Sequence, residues 1–299
     1  MPVRLTDLDE SVPLTDGAER LERGEVLRLA PGSVPLPDEE DLEFLRSELP
    51  KHLASRKNIS YLPTGDYLSG LDADDETRGR VRSILADRDQ AARTVLGRLL
   101  PDYAKDWRIG KVNFRPLEER GRELVRHSSN ELLHVDAYAS GATHGDRVLR
   151  FFTNVHPTES RVWLSAGTFA DLYPLFSEKI ARGKTASNLR PGLLDRAWSG
   201  TLRGLSGLGL SRAELADSSP YDRAMKRFHD VLKDDEEFQE DPPARLALEF
   251  PPFSSWIVMT DVVSHAVVSG RHALVNTYYV KRARERCPEI SPWSLLASS

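Results

Sequence analysis

The sequence predicts a mainly β core with helices before it and within it. Beyond Pro101, short runs rich in β-formers alternate with turn material such as GATHGD. Those runs are KVNF, ELLHVDAY, RVLRFFTNV and RVWLS, then ARLALEF, SSWIVMTD, SHAVV and HALVNTYYV. Apolar residues at helical spacing are confined to the chain before Pro101 and to a stretch from about 168 to 240. Helices and strands thus come in blocks, not in the alternating order that builds a parallel sheet. The 299 residues are read as one domain. It has a helical N-terminal part over about 1–105 and a β core over about 106–285, with a helical insertion over about 168–240.

Along the chain, residues 18–30 (AERLERGEVLRLA) end in a short strand. PLPDEEDLEFLRSEL opens on proline and acidic residues and continues as a helix. The clearest helix runs from about Asp74 to Leu100: acids lie at its start, and Val81, Ile84, Leu85, Ala92, Val95, Leu96 and Leu99 recur at helical spacing. Pro101 stops it. Inside the insertion, SGTLRGLSGLGLS reads as a glycine-rich loop over 200–210, and YDRAMKRFHDVLKDDEEF as a charged helix.

Composition narrows the function. With 41 Lys+Arg against 46 Asp+Glu and a net charge of −5, no nucleic-acid binding by phosphate neutralisation is expected. A single cysteine, Cys287, excludes an intramolecular disulfide and cysteine-based zinc sites, leaving histidine and carboxylate as metal ligands. The N-terminus lacks a basic region followed by an apolar one, and the longest apolar stretch is broken by Asp261 and His265. A soluble protein of a reducing compartment is expected, with any membrane role peripheral.

Of the eight histidines, His52, His127 and His144 lie among polar neighbours and read as surface, while His229 on the charged helix reads as solvated or partly packed. His134 and Asp136 are different. Residues i and i+2 of a strand share a face, so LLHVDAY projects an imidazole and a carboxylate together. Burying that carboxylate is costly unless it is paired or binds a cation. His265, late in SSWIVMTDVVSHAVV, supplies a third ligand. Two histidines and one carboxylate form the facial triad of non-haem Fe(II) oxygenases, with positions open for O2 and a cosubstrate. The same set suits a zinc hydrolase with metal-activated water. A 2-oxoglutarate cosubstrate would also need a guanidinium fork for its distal carboxylate. Arg150 in RVLRFF, a charge inside an apolar strand, is preferred over Arg271, six residues after His265. Asn154 shares the Arg150 face if the strand is regular.

NELLHVDAY, GDRVLRFFTNVHP, RVW and SSWIVMTDVVSHAVVSG, with ERGEVL, KNISY, VNFRPLEERGREL and YDRAMKRFHDVLKDDEEFQ, resemble the Kdo hydroxylase family over about residues 20–282. These are Fe(II)/2-oxoglutarate-dependent dioxygenases of lipopolysaccharide inner-core synthesis in Gram-negative bacteria. The resemblance implies a double-stranded β-helix (jelly-roll, cupin-like) core of the Fe(II)/2-oxoglutarate oxygenase type. It implies iron held by His134, Asp136 and His265, 2-oxoglutarate held partly by Arg150, and O2 as oxidant. The implied reaction converts Kdo to its 3-hydroxy form, Ko, on a Kdo-lipid A type glycolipid. That places the protein in the cytoplasm, with peripheral contact at the inner membrane. Two departures stand out: Arg271 replaces a glutamine of the family pattern, and AYASGATHG replaces a proline-containing loop. For the anionic acceptor, Arg115, Arg120 and Arg122 are the leading candidates and Arg161 a further one. The 200–210 stretch, with Leu205, Leu208 and Leu210, reads as a site cover, a membrane contact or an ordinary loop. A related dioxygenase with another substrate, and a non-catalytic jelly-roll binding protein, are the competing readings; oligomeric state stays open.

Overall fold

The computed structural model describes residues 2–9, 14–54, 58–122, 124–137, 142–181 and 219–298. The 200–210 stretch and residues 138–141 of the loop after Asp136 lie outside them. β1 (Arg4–Asp7) runs parallel to β2 (Glu25–Leu29), with α1 (Gly17–Glu22) between. α2 (Glu39–Glu43), capped by Asp38, passes into π and 3-10 turns over 44–52; Pro50 there has no N–H to extend an α ladder. β3 (Ile59–Leu62) and β4 (Tyr67–Ser69) form a hairpin. α3 (Asp75–Leu99) matches expectation, its first turn capped by the Asp74 carboxylate on the Thr77 N–H. Pro101 does not end helical structure. It opens α4 (Pro101–Ala104) at the first helical position, where a missing N–H costs nothing.

The expected β runs follow as β5 (Arg108–Arg115), β6 (Arg147–Asn154), β7 (Arg161–Ser165), β8 (Leu246–Phe250), β9 (Ser255–Met259), β10 (Ala266–Ser269) and β11 (Ala273–Val280). Helices α5 (Phe169–Ala181), α6 (Pro220–Asp234) and α7 (Glu236–Glu240) fall between β7 and β8, and α8 (Pro292–Ala297) closes the described chain. The strands make two sheets, β1-β2-β9-β6-β11-β5-β3-β4 and β10-β7-β8. The N-terminal part therefore supplies β1 to β4 of the large sheet. These strands are only three to five residues long, too short for alternation to stand out from helical spacing.

One expected strand is not a strand. Over its described residues, 131–137, the ELLHVDAY segment's sole ladder contact is an isolated antiparallel bridge between His134 and His265. Its remaining backbone groups are met from elsewhere. The Asp136 N–H donates to the Thr260 carbonyl, just past β9. The Gln239 side chain of α7 bonds both the N–H and the carbonyl of Leu133, and His229 of α6 donates from Nδ1 to the Val135 carbonyl at 2.8 Å. Leu133 and Val135 pack into an apolar cluster with Phe169 and Leu172 of α5 and Met225, Phe228 and Leu232 of α6. The segment is held by helices rather than by a sheet, and it lies where the two sheets meet.

Candidate metal centre

His265 stands immediately before β10 of the small sheet, and the bridge sets it opposite His134. The ligand atoms of His134, Asp136 and His265 all lie within 4.8 Å of one another. Each imidazole is oriented by its far nitrogen: Nδ1 of His134 donates to the Leu132 carbonyl at 2.6 Å, and Nδ1 of His265 to the Val263 carbonyl at 2.9 Å. Both Nε2 lone pairs therefore stay free for a ligand, the outer hydrogen bond fixing the tautomer as it does for metal-bound histidines. Burial keeps both rings neutral. It depresses the pKa of His134, with His265 adding to the effect, and brings His265 down to about 4. Burial alone would raise the Asp136 carboxyl, but Arg150 first, then His265 and His134, hold it well below the usual range. Asp136 Oδ2 is buried without an aligned hydrogen bond. Two neutral imidazoles and an ionised carboxylate fit Fe(II).

Around this triad the structure collects cations. Arg150, central in β6 opposite Val258 of β9, brings Nε to 3.0 Å from Asp136 Oδ2. Next to it, Arg115 from the end of β5, Arg161 from the start of β7 and Arg122 converge on one fully buried carboxylate, Glu119, at 3.4, 3.5 and 3.1 Å. Four guanidiniums thus face two carboxylates. Buried nitrogens of all four (Nε of Arg115, Arg150 and Arg161, Nη2 of Arg122 and Arg161) have no aligned hydrogen-bond acceptor among the described residues. Buried positive excess of this kind suits a small dianion. Arg161 also donates to the Gly270 carbonyl at 2.8 Å. Gly270 has φ +125°, and a Cβ there would stand 2.7 Å from Arg161 Cγ, so only glycine permits the approach.

Residues 7–298 match the family of 3-deoxy-D-manno-oct-2-ulosonic acid (Kdo) hydroxylases. The chain belongs to the Kdo hydroxylase family. Solved structures of the Kdo hydroxylase KdoO, described as a non-heme Fe(II) alphaketoglutarate dependent dioxygenase, are similar along the whole length. The apo form superposes with a TM-score of 0.80 at 30% identity, covering 100% of this chain and 95% of that one. The complex with alphaketoglutarate and Fe(III) gives 0.79 at 30% identity, and the cobalt(II) complex 0.80 at 30%, both with the same coverage. No curated protein matches the chain. The fold is accordingly the jelly-roll of these dioxygenases with flanking helices.

Within this Kdo hydroxylase fold the residues singled out from the sequence separate clearly. His134, Asp136, His265 and Arg150 come together. Asn154 does share the Arg150 face, since β6 pairs with β11 without a register shift. However, both its amide protons go to backbone carbonyls, of Glu159 and Phe250, leaving none for a cosubstrate carboxylate. Arg271 is exposed and donates to His156 at 3.2 Å; it is not among the residues lining the metal cavity. The acceptor reading of Arg115, Arg122 and Arg161 also changes, because Arg115 and Arg161 are buried and Arg122 half-buried against Glu119 rather than open at a rim. Arg120 is exposed and does not line that cavity.

Sequence reasoning missed Glu119, Gln239, Lys226, His229 and Lys233. The last three line a cavity of about 270 Å³ with His134, Asp136 and Arg150. The His229 ring meets the His134 ring edge-on at 5.0 Å. The usable signal was their spacing, i, i+3 and i+7 on one helix, which puts all three on one face.

Proposed function

We propose that this chain is an Fe(II)/2-oxoglutarate-dependent dioxygenase that hydroxylates Kdo at its 3-position on a lipid A-linked acceptor, giving Ko. The observation that carries the reading is the His134–Asp136–His265 set, both histidines buried and Asp136 half-buried, beside Arg150, in a chain that matches Kdo hydroxylases almost from end to end. Iron with 2-oxoglutarate and O2 would supply the oxidising power to replace a sugar C–H by C–OH, releasing succinate and CO2.

The chain's own residues do the rest. His134 and His265 present neutral Nε2 lone pairs, and Asp136 brings one negative charge that Arg150 helps to keep ionised. Arg150 offers its fork to the distal carboxylate of the cosubstrate, and Arg115, Arg122 and Arg161 hold a positive potential behind it. The side chains of Arg115 and Arg161 are nearly sealed from solvent, which strengthens attraction for a dianion. Among the described residues no helix is long and apolar enough to cross a membrane, so a lipid-anchored acceptor would be met from the membrane surface.

The test is turnover. Iron-loaded protein given 2-oxoglutarate and a Kdo-lipid A acceptor should release succinate only with the acceptor present, and the Kdo residue should gain the mass of one oxygen atom. The His265→Ala protein should give neither product. Succinate release driven only by a different acceptor would keep the dioxygenase and overturn the substrate.

A further inference from the structure

The cavity beside the triad is graded from floor to rim. On its floor the side chains of His134, Arg150 and Asp136 are 4, 10 and 14% exposed; on its rim His127 and Lys226 are 41 and 44% exposed. Its three lining cations have different commitments. Arg150 faces Asp136. Lys233 donates to the carbonyls of His127 and Ser129 and is consumed in holding that loop. Lys226 is held at 2.6 Å by Asp230, one turn further along the same helix. An i,i+4 pair at a solvated rim is weak and exchanges readily for a better-placed anion. Asp230 does not line the cavity, whereas Lys226 does.

Position adds to this. Lys226 precedes His229 by three residues on α6, about 4.5 Å along the helix axis, and His229 is in ring contact with the metal ligand His134. In a 2-ulosonic acid the carboxylate is borne by the carbon adjacent to position 3. Any cation that recognises it must therefore stand close to the metal but on the solvent side of it.

We propose that Lys226 is the anchor for the carboxylate of the acceptor sugar, releasing Asp230 to take it, and so sets the preference for an acidic sugar. This rests on the hydroxylase reading above. The stripe Lys226–His229–Lys233 is then split in role, with Lys233 holding the 127–129 loop and His229 the segment between His134 and Asp136, while Lys226 meets the acceptor.

The experiment pairs a protein change with a substrate change. Iron-loaded wild type, Lys226→Ala and Lys226→Arg are each given a Kdo-lipid A acceptor and the same acceptor with its Kdo carboxylate blocked as the methyl ester. Lys226→Ala should raise KM for the acid about tenfold or more with kcat changed by less than about twofold. Esterification should cost the wild type a similar factor, and the two changes together should cost no more than one alone. Lys226→Arg should recover most of the loss. Titration of each Co(II)-substituted protein with 2-oxoglutarate, followed by absorption, should be unchanged, which separates acceptor recognition from a damaged centre. Additive losses, or wild type turning over acid and ester equally, overturn the role of Lys226 and leave the hydroxylase reading standing. Absence of acceptor-dependent succinate in the wild type overturns both.

Discussion

Asp136 and Arg150 make an unusual pair for a buried site, because Nε and Oδ2 meet at 3.0 Å without an aligned hydrogen bond. The contact holds the carboxylate ionised, yet Oδ2 of one and Nε of the other lack aligned hydrogen bonds. A buried ion pair so imperfectly satisfied is a poor device for stability and a good one for binding a cation and an anion side by side. Arg150→Ala should therefore weaken 2-oxoglutarate binding about 10- to 100-fold, or about 1.4–2.7 kcal/mol. Arg271→Ala should change it by less than about twofold, since that side chain is exposed against His156. Calorimetric titration of 2-oxoglutarate into the Co(II) forms checks both. A larger loss in the Arg271 variant would reverse the assignment. The sequence preferred Arg150 to Arg271 on one ground, a charge inside an apolar strand, and β6 is buried along its whole length.

At the scale of elements, the ligand segment depends on α6 and α7 as a strand depends on its neighbours. Gln239 makes three side-chain bonds, to the N–H and carbonyl of Leu133 and to the carbonyl of Leu232. Gln239→Ala strands those backbone groups at about 1–3 kcal/mol for each one left buried. A lower melting temperature and weaker Co(II) affinity should appear together, although Gln239 touches no metal ligand side chain. Retained metal affinity in a destabilised variant would mean that the segment keeps its shape without the helix. This dependence explains what was legible. β5 to β11 stood out because β-rich runs were bounded by turn material. LLHVDA alternates like a strand because Leu133 and Val135 pack into the helices while His134 and Asp136 line the cavity, and alternation records burial, not hydrogen bonding. His229 was hidden because a helix carrying Lys226, Asp230 and Lys233 reads as solvated until a neighbour is known to cover one face.

Across the whole molecule, acid is the natural stress. His134, His156, His229, His265 and His272 all have lowered pKa values, burial being the first cause in each. The unfolded chain, with histidines near ~6.5, binds protons that the native state refuses, so stability is full above that value and is lost as pH falls towards the native pKa. His272 isolates the effect away from the metal ligands. Its pKa falls to about 4 through burial first and then the adjacent His156, Arg271 and Arg46. It also sits at φ +57°, a conformation asparagine tolerates. His272→Asn should flatten the fall in melting temperature between about pH 6.5 and 4 relative to wild type. Coincident slopes would assign the acid sensitivity to the other histidines.

The stapling of the ligand segment to α6 has a further consequence for how such proteins diversify. A helix that carries the proposed sugar anchor and pins the backbone between His134 and Asp136 cannot be exchanged alone. Recombining acceptor choice between relatives would succeed only if residues 126–137 travel with 219–240 as one cassette, inherited or engineered together.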